Sequence, residues 1–277
     1  MALSAIKPTG VSTAFTTPTD AAAGTGVEVA LGQDPGDTNA PIIFEPGPDL
    51  SGNATEIWIM ASGGANWGGA QVHVSLDGTT YGQIGWLLPG AAQGFLTAPF
   101  ASGSDPDTTH TLSVDLTESL GQIIAGTSAD ADFKLPTLAY CDGELIAFSA
   151  ATLTSAHHYD LGTYIRRGCY GTTIASHASG TKFAWVQNPF SYEYPRSLIG
   201  ATIYFKFPSV NKLGAELQDI SSCVAYSYTL TGFGLQAATT PIVNPVFTGG
   251  MLPLVSGALP GPDPVADGRG QYIGVPI

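Results

Sequence analysis

Charge is what this sequence has least of. Asp, Glu, Lys and Arg make up only 11% of its 277 residues, against roughly 25% in an ordinary soluble domain. The residues that build exposed helix faces are therefore scarce, which weighs against a helical architecture. Only 9 residues are basic, and they form no cluster. Phosphate recognition needs clustered Lys and Arg, so neither nucleic acid nor an anionic membrane surface is an expected partner. Cysteine is nearly absent too. Cys141, Cys169 and Cys223 lie far apart, with no C-x-x-C and no paired-histidine spacing to suggest a disulfide framework or a zinc centre. Buried free thiols are the reading, with one bridge plus one free thiol as the alternative. No run approaches the roughly 18 apolar residues that would span a bilayer, so no membrane insertion is expected. Met1 to Lys7 lacks a charged start followed by an apolar core, and on that pattern the chain is expected to be made in a cytoplasm without exporting itself.

Glycine and proline fill the gap, with 35 and 20 copies. That composition favours many short strands joined by turns. The expected fold is all-β: two small antiparallel β-sandwich or barrel-like domains, at residues 41–135 and 136–236, between extended arms at 1–40 and 237–277. The N-terminal arm is rich in Thr, Ala, Gly and Pro, with Val27 to Leu31 as its strand-like patch. From Pro241 onward 7 Pro and 7 Gly fall in 37 residues, a composition that resists an independent core. Its apolar stretches, Met251 to Val255 and Tyr272 to Ile277, are expected to bury against a neighbouring subunit or partner, as strand addition would do. The net charge of −13 is lopsided: residues 1–140 carry 2 basic and 14 acidic side chains, residues 141–277 carry 7 and 8. Such acidity keeps a low-charge β surface soluble.

Alternation of apolar and polar residues places the strands. Ile57 to Met60 and Val72 to Ser75 read as a pair, and Asp77-Gly78 as a tight hairpin turn returning through Tyr81 to Gly85. Thr111 to Leu116 alternates. Residues 117–132 have room for one short helix, weakened by Gly121 and Gly126. Asp142-Gly143 is a second two-residue turn, from which a strand leaves with Glu144. Tyr159 to Ile165 and Thr181 to Val186 follow. Thr202 to Phe207 should set Tyr204 and Lys206 on one face and Ile203, Phe205 and Phe207 on the other, before Val224 to Leu230 closes the folded part.

Several stretches invite a chemical reading. Ser75 to Tyr81 approaches a sialidase-like box but occurs once, where a propeller needs several copies. Asp105 to His110 offers two carboxylates, short of the six or more oxygens that Ca²⁺ takes. Trp58, Trp67 and Trp86 suit packing better than a sugar platform at strand spacing. His157 and His158 are adjacent, and neighbours on a strand face opposite ways. Glu144 with Glu193 or Asp160 is a conceivable glycosidase pair whose separation sequence does not set. No nucleophile elbow, zinc-binding helix or phosphate loop is present, so no enzyme, cofactor or metal is expected. Arg167, at the end of a strand beside a Gly-x-x-Gly turn, has a planar fork suited to a carboxylate. It is expected to brace that turn with Glu144 or another acidic side chain, an intersubunit salt bridge being the rival idea.

The block from Asp142 to Val186 carries Glu144, then Arg166-Arg167-Gly168-Cys169-Tyr170-Gly171-Thr172, then His177, Gly180 and Phe183. In that order these residues resemble the C-terminal region of the tail-tip, or baseplate hub, "phage tail protein" family of tailed phages and gene transfer agents. Pro41 to Pro46, Glu56 to Ala61 and Asn66 to Val72 resemble the preceding β region, and Ile199 to Pro208 with Asn211 and Tyr226 to Gly232 its closing strands. The resemblance spans about Pro41 to Gly232. Members of the family are longer, with hub domains upstream, and Cys169 stands where an apolar or basic residue is more usual. The resemblance implies a structural virion protein, made in the host bacterial cytoplasm, that joins the tail tube or hub to the host-contacting end as a homotrimer. Its implied partners are other tail proteins (hub, distal tail protein, fibres), with host surface glycan or protein beyond them. Glu144, Arg167, Gly168, Gly171, Thr172, His177 and Gly180 would form the structural turn motif. The loops holding Trp67 and Gly68, and Asp105 and Asp107, are the candidates for host or partner contact. A carbohydrate-binding receptor module and a tail-associated glycan hydrolase are the alternatives.

Overall fold

The computed structural model describes residues 32–214 and 216–235, and these contain fourteen strands and only short helices. In chain order the strands are β1 (Ile42–Phe44), β2 (Glu56–Met60), β3 (Trp67–Ser75), β4 (Gly82–Leu87), β5 (Gln93–Leu96), β6 (Leu112–Asp115) and β7 (Leu138–Cys141). They continue with β8 (Glu144–Ser155), β9 (His158–Arg166), β10 (Lys182–Trp185), β11 (Phe190–Glu193), β12 (Thr202–Lys206), β13 (Ser209–Asn211) and β14 (Tyr226–Thr229). The expected all-β class with sandwich and barrel parts is what forms. Strands β5 to β10 close into an antiparallel barrel in the order β10-β5-β6-β9-β8-β7. The others make two antiparallel sheets, β1-β2-β11 and β13-β3-β12-β14, with β4 also paired to β3.

Strand β2 shows how these parts stack. Its sequence, Glu-Ile-Trp-Ile-Met, has no apolar-polar alternation because both faces are covered. Ile57 and Ile59 enter a core shared with Val72, Ile203 and Phe205 of the larger sheet. Trp58 and Met60 join Ile42 and Phe44 against Leu138, Leu145, Ala147 and Ala184 on the barrel's outer surface. The small sheet is therefore a middle layer. A third core fills the barrel, built from Leu112, Ile146, Phe148, Leu161, Ile165 and Phe183 among others. Along β8, Leu145 and Ala147 point out to the middle layer while Ile146 and Phe148 point in. By the same period of two, Glu144 shares the inward face.

The division expected after residue 135 does not fall between these parts. β6 pairs with β9, whereas β11 returns to β2 and β12 to β3. The barrel is one continuous stretch set between halves of the sandwich, and such nonlocal pairing leaves no mark along the chain. Local turn chemistry was more legible. Asp142 and Gly143 have φ of 41° and 88°, as a two-residue hairpin turn with both central residues left-handed requires. Asp77-Gly78 instead sits in a wider loop, where Asp77 Oδ1 accepts the N–H groups of Thr79 and Thr80 at 2.8 and 2.7 Å. The segment 117–132 holds a 3-10 turn at Thr117–Ser119 and the start of a helix, Ser128–Phe133, capped reciprocally by Thr127 and Asp130. Tyr204 and Lys206 lie opposite the buried face of Ile203 and Phe205, as alternation predicts. All three cysteines are free, Cys141 and Cys169 buried and Cys223 partly so.

Residues 32–40, expected to belong to an arm, are fastened to the sandwich. Thr38 Oγ1 donates to Phe207 O at 2.9 Å, and Asn211 Nδ2 to Gln33 O at 3.1 Å. The patch at Val27 to Leu31 and the expected C-terminal arm lie outside the described residues. Among the described residues, no helix is long and apolar enough to cross a membrane.

Candidate functional site

One end of the barrel is closed by charge instead of hydrocarbon. Glu144 begins the inward face of β8, and Arg167 follows the last residue of β9 with the inward parity of Ile165. Two short backbone bridges draw the loops over them: Phe100 exchanges hydrogen bonds with His177, and Asp107 with Ile165. The result is a buried cluster in which Glu144 is 0%, Asp107 1%, Arg167 2% and His177 4% exposed.

Every N–H of the Arg167 side chain is engaged. Nε and Nη2 donate to Glu144 Oε1 and Oε2 at 2.7 and 2.9 Å, the parallel fork that makes such pairs strong. Nη2 also donates to Ala175 O at 2.8 Å, and Nη1 to Ala101 O at 3.0 Å and Asp107 Oδ2 at 3.2 Å. The guanidinium lies 4.1 Å from the centroid of the Phe100 ring, a cation–π contact on its apolar side. Glu144 further accepts the N–H groups of Gly168 and Ala175 at 3.0 and 3.1 Å, and His177 Nε2 is 2.9 Å away.

The electrostatics follow from these contacts. Burial pushes the Glu144 pKa up, but hydrogen bonds from Arg167, His177 and the Ala175 N–H outweigh it and hold the carboxyl at about 2. For Asp107 burial again pushes upward, and His110 and Thr109 more than offset it, keeping the group well below the usual carboxylate range. Burial disfavours the Arg167 cation, and the Glu144 and Asp107 carboxylates overcome that. Thus Glu144, Asp107 and Arg167 are each held in the charged form by their neighbours.

The turn that follows needs unusual backbone angles. Gly168, Gly171 and Gly180 have φ of 56°, 79° and 83°, which side-chain-bearing residues rarely adopt. Thr172 Oγ1 accepts from Leu145 N at 3.0 Å and donates to Cys169 O at 2.8 Å, tying the turn to β8. The structure thus gathers Glu144, Arg167, Gly168 and His177 directly, with Gly171 and Thr172 in the same turn. Gly180 stands apart, donating its N–H to Leu96 O at 2.8 Å on the barrel wall.

In the loop at Asp105 and Asp107, expected as a contact surface, Asp107 turns inward while Ser104, Asp105, Pro106 and Thr108 stay exposed. Asp107 is buried against Arg167. Asp105 holds Arg166 through Nε and Nη2, both at 2.7 Å, and accepts the Arg167 N–H at 3.0 Å. Sequence reading named the right arginine and glutamate but missed Asp107 as their third partner, because 60 residues separate it from Arg167. Trp67 is half-buried, its Nε1 donating to Thr38 Oγ1 at 3.1 Å, and Gly68 packs on the backbone of Asn211 and Lys212. Trp58 faces the barrel and only Trp86, 45% exposed, is largely open. The three tryptophans form no common platform.

The remaining polar candidates are engaged elsewhere. His157 Nδ1 meets Gly121 O at 3.0 Å, whereas His158 reaches Asp115 at 3.4 Å. Asp160 accepts from Ser113 Oγ at 2.6 Å, and Glu193 pairs across β11 with Glu56, so neither joins Glu144. Burial pushes the Cys141 thiol to about 12 and Cys169 to about 11, values that leave them inert. Among the described residues, no three His, Cys, Asp or Glu side chains are grouped to hold a metal. One further buried carboxylate went unrecognised in sequence. Glu45, just past β1, accepts from Tyr194 OH at 2.5 Å, from the Thr231 hydroxyl, and from the N–H of Phe233 at 3.0 Å, joining the two ends of the sandwich.

No curated protein matches the chain. Residues 91–184, which hold Asp107, Glu144, Arg167 and His177 and nearly the whole barrel, match the family described as "Rcc01698-like, C-terminal".

Proposed function

We propose that this protein is a structural component of the tail tip or baseplate of a tailed phage or gene-transfer-agent particle. In this reading it joins the tail tube or hub to the host-contacting end as a homotrimer and takes part in attachment. Its partners are other tail proteins, and its place is the virion. The observation that carries the reading is the closed barrel mouth. The residues on which the resemblance to the tail-tip hub family rests, Glu144, Arg167, Gly168 and His177, lie in one buried cluster whose hydrogen bonds hold three chain segments together. Such a cross-linked mouth suits a part that must keep its shape under load. A glycan hydrolase is disfavoured by the same geometry, because Glu144 is sealed from solvent and held ionised by Arg167.

The test is immunogold electron microscopy of purified particles with antibody against residues 41–240, together with mass spectrometry of the same particles. Label at the tail tip and peptides from the virion are expected. Absence of the peptides from intact particles overturns the reading.

A further inference from the structure

The barrel closes where its first and last strands in sequence, β5 and β10, meet. They pair antiparallel, with Phe95 opposite Lys182 and Gln93 opposite Ala184. Lys182 and Gln93 are thus diagonal neighbours on one face, a separation of roughly 7–8 Å that long side chains span. Ala184 shows which face this is, because it packs on the outer surface toward the middle sheet. There both side chains converge on one atom: Lys182 Nζ donates to Ala40 O at 2.9 Å, and Gln93 Nε2 donates to the same oxygen at 3.3 Å.

Three chemical groups meet at this seam. Gln93 is 1% exposed, and its carboxamide is bonded on one side only. Nε2 also donates to Glu118 Oε1 at 3.2 Å, whereas Oε1 has no partner among the described residues. Asn39 Nδ2 donates to Glu118 O at 2.7 Å, which fixes the turn that carries the carboxylate. Burial lowers the Lys182 pKa, favouring the neutral, nucleophilic amine over the ammonium. An amine, a buried carboxamide and a carboxylate on the amide nitrogen are the parts of an amide exchange.

We propose that Lys182 and Gln93 join in an isopeptide bond that seals the barrel seam. Rotation about the last bonds of the lysine side chain carries Nζ from Ala40 O to Gln93 Cδ. The Nζ lone pair adds to Cδ, a proton passes from Nζ to Glu118, and Glu118 returns it to Nε2. The Cδ–Nε2 bond then breaks and that nitrogen leaves. Across the reaction a lysine ammonium and a carboxamide give a secondary amide and an ammonium ion, with no change in oxidation state and no co-reactant. Glu118 stands within the roughly 2.6–3.2 Å that a proton-transfer group needs. The product is neutral, so the seam no longer holds a half-buried cation. One such bond closes residues 93–182 into a covalent ring.

The experiment is the intact mass of the full chain, purified folded, held at neutral pH and then denatured for mass spectrometry. The main species is expected to be one ammonia lighter than its sequence, and a digest should yield a branched peptide joining Gln93 to Lys182. Lys182→Arg, which keeps the charge and the reach to Ala40 O, should keep the full mass with an unchanged circular dichroism spectrum. Glu118→Gln should slow the loss of ammonia by roughly a hundredfold. A folded, unaltered chain that retains its full mass overturns the proposal. So does a loss that persists in Lys182→Arg, maps to another pair of residues, or runs as fast in Glu118→Gln. The mass is read on the isolated chain, so failure here leaves the virion assignment untouched.

Discussion

Arg166 and Arg167 are neighbours in sequence with opposite fates. Arg167 is buried with Glu144 and Asp107, whereas Arg166 holds Asp105 and Asp132 at the surface. Truncating one partner of a buried pair leaves the other charge stranded, so Arg167→Ala should cost about 3–5 kcal/mol in urea unfolding. Arg166→Ala should cost about 1 kcal/mol or less. Combining Arg167→Met with Glu144→Leu should be milder than Arg167→Ala alone, because only Asp107 is then left without its cation, and it keeps its hydrogen bonds from the Thr109 and His110 N–H groups. Acid should act through the same site. The Glu144 pKa is depressed on folding from about 4.5 to about 2, so its stabilisation is complete above pH 4.5 and is lost as pH falls through 2. Asp107, lowered in the same direction, adds to that slope. Urea midpoints measured between pH 6 and pH 2 should therefore fall, and Glu144→Gln should be less stable at neutral pH but flatter across that window. The pairing of Arg167 with Glu144 was legible because both stand beside turn signals. Asp107 was not, since only closure of the barrel brings its loop over the mouth.

At the level of elements, barrel closure depends on a close approach between β5 and β6. A Cβ on Gly94 would sit 1.8 Å from Asp115 O, so Gly94→Ala must push the two strands apart. A loss of about 1–3 kcal/mol is expected, as for other overpacked sites. Gly82→Ala in β4, where a Cβ meets nothing within 4 Å, is the control, and thermal melts of the two variants should differ clearly. Strand positions such as β8, β9 and β12 could be read from alternation and from turn residues such as Asp142-Gly143. Gly94 could not be singled out. A glycine that makes room for a neighbouring strand looks the same in sequence as one that bends a loop.

For the whole molecule, the decisive feature is the cluster shared by the middle sheet and the barrel. Trp58, Met60 and Phe44 pack on Leu138, Leu145 and Ala147, so losing either part exposes apolar surface on the other. Unfolding should therefore be one cooperative transition, with tryptophan fluorescence and far-ultraviolet circular dichroism giving coincident curves. Leu145→Asp, which buries a carboxylate in that contact, should destabilise both parts together. Two separated transitions in the unaltered protein would show that barrel and sandwich are independent.

By itself the sequence determined the class of structure and its local grammar. Scarce charge and abundant glycine and proline leave short strands as the available element, and alternation with a period of two assigns each strand its inner and outer face. It also indicated that Arg167 needs a carboxylate beside its turn. Only the tertiary structure decided which strands close the barrel, that the sandwich is made from both sides of it, and that Asp107 completes the buried cluster. The physical reason is that strand pairing and charge burial depend on segments distant in sequence, and the energy that selects them exists only once the chain has closed on itself.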